Sequence, residues 1–352
     1  MGASIRVQSF PVAHAGPRAT GGAGDGRVPL PDPDFAEAWR DRLSRTPHAN
    51  FTLALDYLAH QAAHGEASRA VLIDEGSRRG AMVLREIGPE LVSGAPWRWQ
   101  IAIEGAEPRD PHGMTNDDAA WFLGHAQRLA GGRRLRFFAP HPLRSNLSYL
   151  AARTVLLDLA HSTEEKLSAA MDPSRRRLVR RSENQGYEVI EGGAPELQRS
   201  FEALLAETGE RRHGLRPGHD GGLEAARGWG LPWHWLLVGV KDGTVVAGLG
   251  LGRYPGGMVD GRASGSTEQA MKAGTNSQVW WESVRRARLA GHSWMNLGGS
   301  TVYKRQFGGV LVSIYCQLGG DPRWWVSNLI EKLRREGIAL AVKARRRFAS
   351  NR

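Results

Sequence analysis

A single cysteine, Cys316, is all the thiol chemistry that 352 residues carry. No intramolecular disulfide can form, and the place of Cys316 in the apolar run from Val312 to Leu318 points to a buried, inert thiol in a reducing compartment. Long apolar runs are missing as well: no stretch reaches the ~18 residues that a membrane-spanning helix needs. Residues 1–27 are broken by glycine, proline and arginine, so the apolar centre of a secretory signal is lacking. Arg6 stands where the N-myristoylation pattern requires serine or threonine. A cytoplasmic protein without a transmembrane segment is expected, with peripheral contact at the inner membrane face left open. Metal motifs of the His-Glu-x-x-His or paired Cys-x-x-Cys type do not occur, and no zinc is expected. There is no Walker loop and no Gly-x-Ser-x-Gly elbow, and Gly248, Gly250 and Gly252 fall inside a strand pattern instead of between a strand and a helix. Nucleotide hydrolysis, a dinucleotide fold and serine hydrolysis therefore have no sequence support.

What is present is an ordinary soluble composition, 41% hydrophobic and 24% charged, with a formal charge of +11. The length suits two cores. The positive charge is concentrated in Arg175, Arg176, Arg177, Arg180 and Arg181, and again in the C-terminal segment containing Arg323, Lys332, Arg334, Arg335, Lys343 and Arg345 to Arg347. Both imply polyanionic company: nucleic acid, an anionic membrane surface or a phosphorylated substrate.

Periodicity gives a mixed α/β chain. Asp34 caps a first helix ending near Pro47, and a second follows through Phe51, Leu55 and Leu58. Strands fit residues 70–73 and 81–84, and the alternation of Trp97, Trp99, Ile101 and Ile103 with polar neighbours predicts a half-buried strand. A helix from Thr115 and a strand over 135–138 complete the first half. The second half begins with a strand over 155–159, then a short helix and an arginine-rich helix opened by Pro173. A long helix leads to the basic turn at Arg211, and Asp242-Gly243 joins two strands as a tight hairpin. A helix capped by Asn276 or Ser277 precedes the final strands. The halves share one order of elements, which predicts a flexible tail over residues 1–33, similar units over 34–154 and 155–321, and a basic helix or tail over 322–352.

The most distinctive stretch runs from Asn296 to Gly309, with glycine pairs at Gly298/Gly299 and Gly308/Gly309 around Tyr303, Lys304 and Arg305. Such turns admit positive φ and close approach of a ligand, and a lysine fixed between them can hold an anion or a developing oxyanion. Without metal or nucleophile motifs, direct acyl transfer fits: an amine attacks a carbonyl while the protein positions both and steadies the oxyanion.

Three segments then invite comparison. "TVLLDLAHSTEEKLSAAMDPSRRRLVRRSENQGYEV", "AETGERRHGLR" and "NLGGSTVYKRQFGG" resemble, in order, the entry to the second half, the arginine–glycine turn and the closing glycine-lysine signature of FemAB-like aminoacyl and acyl transferases. The resemblance covers roughly residues 34–320. It implies two tandem GNAT-like domains, and transfer of an aminoacyl group, often from aminoacyl-tRNA, to an amine of a phosphate-linked cell-wall precursor. It implies that Lys304 contacts substrate phosphate and steadies the tetrahedral intermediate, with Tyr303 beside it. It also implies that Arg211 helps hold the acceptor, with Arg305, Gly298 and Gly299 lining the site. For the general base, Glu268, Asp260 and Glu282 are candidates, each with a surface carboxylate as the plainer reading. The acetyl-CoA-binding pattern departs in its glycine spacing, leaving Lys272, Gly274 and Asn276 as candidate donor-phosphate ligands. No cofactor is expected, with acyl-CoA as donor kept open. An acyl-thioester-dependent N-acyltransferase of polysaccharide biosynthesis is the alternative, and a non-catalytic RNA- or anionic-membrane-binding protein is the alternative of another class.

Overall fold

The computed structural model describes residues 3–12, 31–95, 98–143, 147–213 and 231–319. The basic segment over 322–352, Trp97, and the stretch between the Arg211 turn and Leu231 lie outside the described residues.

Among the described residues, thirteen strands form one sheet. In the first half, β1 (Ser4–Phe10), β2 (Ser68–Glu75), β3 (Arg78–Ile87) and β4 (Glu90–Ser93) pair antiparallel in that order. The helix α3 (Asn116–Ala130) crosses over, and β6 (Arg134–Ala139) returns parallel to β4. The second half repeats this plan. β8 (Glu188–Glu191), β9 (His234–Lys241), β10 (Thr244–Arg253) and β11 (Met258–Ser266) run antiparallel, and after a crossover helix (Thr275–Leu289) β12 (Trp294–Asn296) lies parallel to β11. The mixed α/β class and the repeated unit expected from the sequence are the ones observed.

The last strand of each half is exchanged. β7 (Leu147–Asp158) follows β6 in the chain but pairs with β12, whereas β13 (Val310–Gly319) follows β12 but pairs with β6. β7 and β13 then pair with each other and close the sheet. The expected boundary between residues 154 and 155 therefore falls within a central strand.

Helices cover both faces of the sheet. α1 (Pro33–Ser44), capped by Asp32 with the expected cap Asp34 inside its first turn, and α2 (Leu55–Ala63) pack Phe35, Trp39, Leu43 and Leu58 against Ala70, Leu72, Ala81 and Val83. The alternate residues Val71, Ile73, Met82 and Leu84 meet α3 through Phe122, Leu123 and Ala126. Because a strand presents successive side chains to opposite faces, these strands must be apolar throughout. In the second half, α4 (Glu164–Ala170), α5 (Pro173–Asn184), α6 (Pro195–His213), the short α7 (Glu268–Ala273), the crossover helix α8 and α9 (Val302–Arg305) cover the sheet. Cys316 is buried, as expected. The Asp242-Gly243 hairpin has positive φ at both residues, 50° and 75°, the geometry a tight two-residue turn requires.

Three expectations are corrected. Residues 4–10, expected within a flexible tail, form β1, in which the polar residues Arg6 and Gln8 interrupt the apolar signal although the backbone pairs fully with β2. The strand expected from Trp97 shrinks to β5 (Ile101–Ile103), because the Gln100 side chain accepts the Gly94 N–H across a turn in place of continuing a ladder. The helix expected to begin at Asn276 or Ser277 begins at Thr275, behind the unforeseen α7 and a kink at Gly274.

The loop after α1 ties the halves together. Ala49 accepts the Met258 N–H at 2.7 Å, and His48 stacks on Trp294 with ring centroids 5.3 Å apart. The His48 ring is buried, and desolvation lowers its pKa from 6.5 to about 4, against the raising influence of the neighbouring Asp110 and Asp158. A folded-state pKa below the unfolded one gives stability that is complete above pH 6.5 and is lost as pH falls toward 4, about 3 kcal/mol in all. Urea unfolding between pH 7.5 and 4.5 should show this loss, and His48→Gln should flatten it; parallel pH profiles would mean His48 is not the group responsible.

Candidate active site

β11 and β12 share three register pairs, Met258↔Trp294, Val259↔Met295 and Asp260↔Asn296, and then part. β12 stops because Gly298 and Gly299 turn the chain with φ of 69° and 124°, values that a residue with a Cβ adopts only with strain. A Cβ at position 298 would also lie 2.5 Å from the Gly261 carbonyl oxygen. β11 continues beside β10 to Ser266, so a wedge opens between its free edge and the turn that leads to α9.

Asn296 occupies the apex. Its side-chain oxygen accepts from the Thr154 hydroxyl of β7 and from the Gly298 N–H at 2.8 Å, while its amide donates to Asp260 at 3.0 Å. Thr154 in turn accepts the Gly299 N–H at 3.0 Å. Asp260 is 1% exposed, and its second carboxylate oxygen has no hydrogen-bond partner. Desolvation raises its pKa against the lowering effect of Arg98, the Asn296 hydrogen bond and Arg262.

Lys304 forms part of the opposite wall. Its ammonium donates to the Gly298 carbonyl and lies 5.6 Å from the Trp280 ring centroid, so it is held between the turn and α8. Tyr303 faces elsewhere: its hydroxyl is 3.5 Å from Ser277, and the Arg175 guanidinium lies 4.4 Å above its ring while donating to Gln306 at 2.8 Å. Tyr303 therefore fastens α9 to α5 and α8. Arg305 is exposed. Gly298 and Gly299 supply the turn, but their N–H groups are taken by Asn296 and Thr154, so they are not open donors for an oxyanion.

Arg211 sits at the far end of β11, where it donates to the Ser266 carbonyl and pairs with Glu207 at 3.0 Å. Asp260 and Ser266 are separated by roughly 20 Å of strand. Arg211 and Lys304 thus belong to different ends of the wedge.

The three candidate donor-phosphate residues do not form an open cradle. Lys272 is exposed and pairs with Glu268 at 2.8 Å. Gly274 is covered by α5, since a Cβ there would lie 2.4 Å from the Leu178 carbonyl oxygen. Asn276 is buried in the same packing, next to Thr275, which accepts from Ser182 of α5 at 3.0 Å. Among the candidate bases, Glu268 is bound to Lys272 and Glu282 is bridged by Arg285 at 2.9 Å and Arg286 at 2.7 Å. Asp260, read from sequence as a surface carboxylate, is instead buried at the apex.

The arginine-rich helix is also used internally. Arg176 donates to the Ser168, Ala169 and Met171 carbonyls at the end of α4, and Arg181 reaches the Lys272 carbonyl. Arg177 and Arg180 are left exposed.

Sequence reasoning missed Thr154, the buried role of Asn296, and the residues facing Asp260 across the halves. Phe51, from the 3₁₀ turn Phe51–Leu53, lies on β10 where Gly252 leaves room for it. Gly252 is the register partner of Asp260. The glycine alternation of β10 clears that face for aromatic rings: a Cβ at Gly248 would lie 2.3 Å from Phe201, and one at Gly252 2.2 Å from Phe51. A charged residue inside the strand pattern Met258-Val-Asp-Gly-Arg was the available signal.

No family model and no curated protein matches the chain. Solved structures do. FemX superposes with a TM-score of 0.58 at 9% identity, over 83% of this chain and 97% of FemX. A conserved protein of unknown function from Bacteroides thetaiotaomicron gives 0.54 at 11% identity, over 83% and 98% of the two chains. The C-terminal domain of a candidate lysylphosphatidylglycerol synthetase from Agrobacterium fabrum gives 0.51 at 14%, over 84% and 95%. The fold is therefore the one that FemX and these structures share, as the sequence resemblance implies.

Replacing Asn296 by alanine leaves Asp260, Thr154 and the Gly298 N–H each short of a partner, and should cost about 3 kcal/mol in urea unfolding. A loss below about 0.5 kcal/mol would show that the apex network does not hold the turn.

Proposed function

We propose that the protein transfers an acyl or aminoacyl group to an amine of a phosphate-linked acceptor, with the chemistry in the wedge between β11 and β12. The observation that carries this reading is the buried Asp260 at the apex, with one carboxylate oxygen unpartnered, opposite the anchored Lys304. The amine forms a bond to the donor carbonyl carbon, and its proton passes to Asp260, whose burial makes it a stronger base than an ordinary carboxylate. Lys304 exchanges the Gly298 carbonyl for the developing oxyanion, and the tetrahedral intermediate collapses as the donor oxygen or sulfur leaves. The unpaired edge of β11 offers backbone groups that can align an extended donor or acceptor.

Aminoacyl-tRNA is favoured as donor over acyl-CoA, because α5 covers the start of α8, where a CoA pyrophosphate would need free N–H groups. A cell-wall precursor or another phosphate-linked acceptor, handled in the cytoplasm at the membrane face, completes the reading. No described helix is long and apolar enough to cross a membrane.

Incubation with labelled aminoacyl-tRNAs or labelled acyl-CoAs and a cell extract tests the proposal. Ribonuclease-sensitive transfer from tRNA is expected; transfer from CoA alone would replace the donor, and no transfer from either would sink the enzyme reading. Lys304→Ala should lower kcat about 100-fold or more with the fold retained. kcat/KM should rise with pH through an ionisation above the ordinary carboxylate range, and Asp260→Asn should abolish that limb along with most activity. An Asp260→Asn variant as fast as the parent would remove Asp260 from the mechanism.

A further inference from the structure

A cleft of about 430 Å³ opens where α1 and α2 of the first half meet the turn that joins β10 to β11. Its volume falls in the range of sites that enclose most of a small ligand. Trp39 of α1, Ala54, Leu55 and Ala59 at α2, Trp233 ahead of β9 and Pro255 of the turn line it. Trp39, Ala54 and Trp233 are its buried part. The indole N–H of Trp39 already donates to the Leu53 carbonyl at 2.8 Å, so Trp39 offers the cleft only hydrocarbon. Asp260, Asn296 and Lys304 do not line this space. Trp233 stacks on Phe51 at 5.5 Å, and Phe51 covers Gly252, the register partner of Asp260. The cleft is thus a compartment separate from the wedge.

Its polar side chains lie toward the mouth, where Arg40 and Asp56 are exposed and Arg253 and Tyr254 are half-buried. Each arginine is anchored through Nε: Arg40 donates to the Ala36 carbonyl at 3.1 Å, and Arg253 to the Pro232 carbonyl at 3.2 Å. Arg253 is also held 5.5 Å from the Trp235 ring centroid. The terminal nitrogens of both guanidinium groups have no acceptor among the described residues. A guanidinium fixed in this way presents a planar pair of donors that matches a carboxylate or phosphate. Asp56 is the one carboxylate of the lining, so two positive charges face one negative charge. Burial and the nearby Asp56 push the Tyr254 pKa up to about 12 against the effect of Arg40, which keeps its hydroxyl protonated as a further donor. An apolar interior under a mouth of excess positive charge complements an amphiphile with an anionic head. A cationic head would meet two arginines, and a wholly apolar molecule would leave both guanidinium ends unused.

We infer that this cleft binds a single-chain amphiphile, with its apolar chain between α1, α2 and Trp233 and its oxyanion head on Arg40 and Arg253. One enclosed space with one head site suits a free monomer taken from solution. No step of the proposed transfer enters this inference, so the site stands or falls apart from that reaction.

Calorimetric titration with dodecanoate, below the concentration at which it forms micelles, should show one saturable site. Dodecyltrimethylammonium carries the same chain with the opposite charge and should bind at least about tenfold more weakly. Butyrate keeps the head and loses most of the chain, and should bind at least about 100-fold more weakly. Arg40→Gln should weaken dodecanoate binding at least about fivefold, and Arg40→Lys should restore part of it. Ala59→Trp fills the cleft and should abolish saturable binding. Thermal unfolding of each variant shows whether the fold is kept, and Arg40→Gln, at an exposed position, decides the matter where Ala59→Trp does not fold. No saturation by dodecanoate at millimolar concentration, equal affinity for the cationic amphiphile, or full affinity in Arg40→Gln or in folded Ala59→Trp would overturn the site. Sedimentation with phosphatidylglycerol vesicles that depends on Arg40, in a protein that does not bind dodecanoate, would also overturn it and assign this mouth to a bilayer surface.

Discussion

The Asn296 side chain is the constraint on which the site depends. One buried amide joins β12 to β7 through Thr154, to β11 through Asp260, and to its own turn through the Gly298 N–H. Parallel strands would otherwise continue in register, and nothing in β11 prevents this, since its backbone runs on to Ser266. The strands part because the polar groups that would extend the ladder are satisfied at Asn296 and Thr154 instead. An amide suits this position since it donates on one side and accepts on the other, whereas a carboxylate would place a second negative charge against Asp260.

Charge in this protein is divided between structure and ligand. Arg42 lies buried under β2 and β3, donating to the Ile73 and Gly80 carbonyls and pairing with Asp74 at 2.7 Å and Glu104 at 3.1 Å. Arg175, Arg176 and Arg181 of α5 close helix ends and fasten neighbouring helices. Three of the five arginines of the α5 cluster are therefore engaged inside the fold.

Local chemistry was legible in the sequence, and long-range chemistry was not. The Asp242-Gly243 turn, the helix start at Thr115 and the apolar runs of β2 and β3 are each dictated by residues a few positions apart, and each formed as expected. The stretch from Asn296 to Gly309 was recognisable because its glycines are local signals too. What it touches was not, since Thr154 and Asp260 stand 142 and 36 residues away from Asn296. The same limit misplaced Tyr303: beside Lys304 in sequence it reads as a site residue, but a helical turn aims it at Ser277 and Arg175. Glycine at 274 read as a phosphate cradle because nothing local reveals that α5 packs over it.

The exchange of final strands has a consequence for the order in which the chain can fold. Until residues 310–319 have been synthesised, β6 has no neighbour on its outer side, so the first half waits with an exposed edge while more than half of the remaining chain is made. Neither half is then a complete folding unit, and the closing strand pair has a large sequence separation, which makes closure slow and cooperative. A duplication of one unit that began as two separable domains would have become, through this exchange, a single chain whose halves can no longer be inherited, shuffled or lost independently.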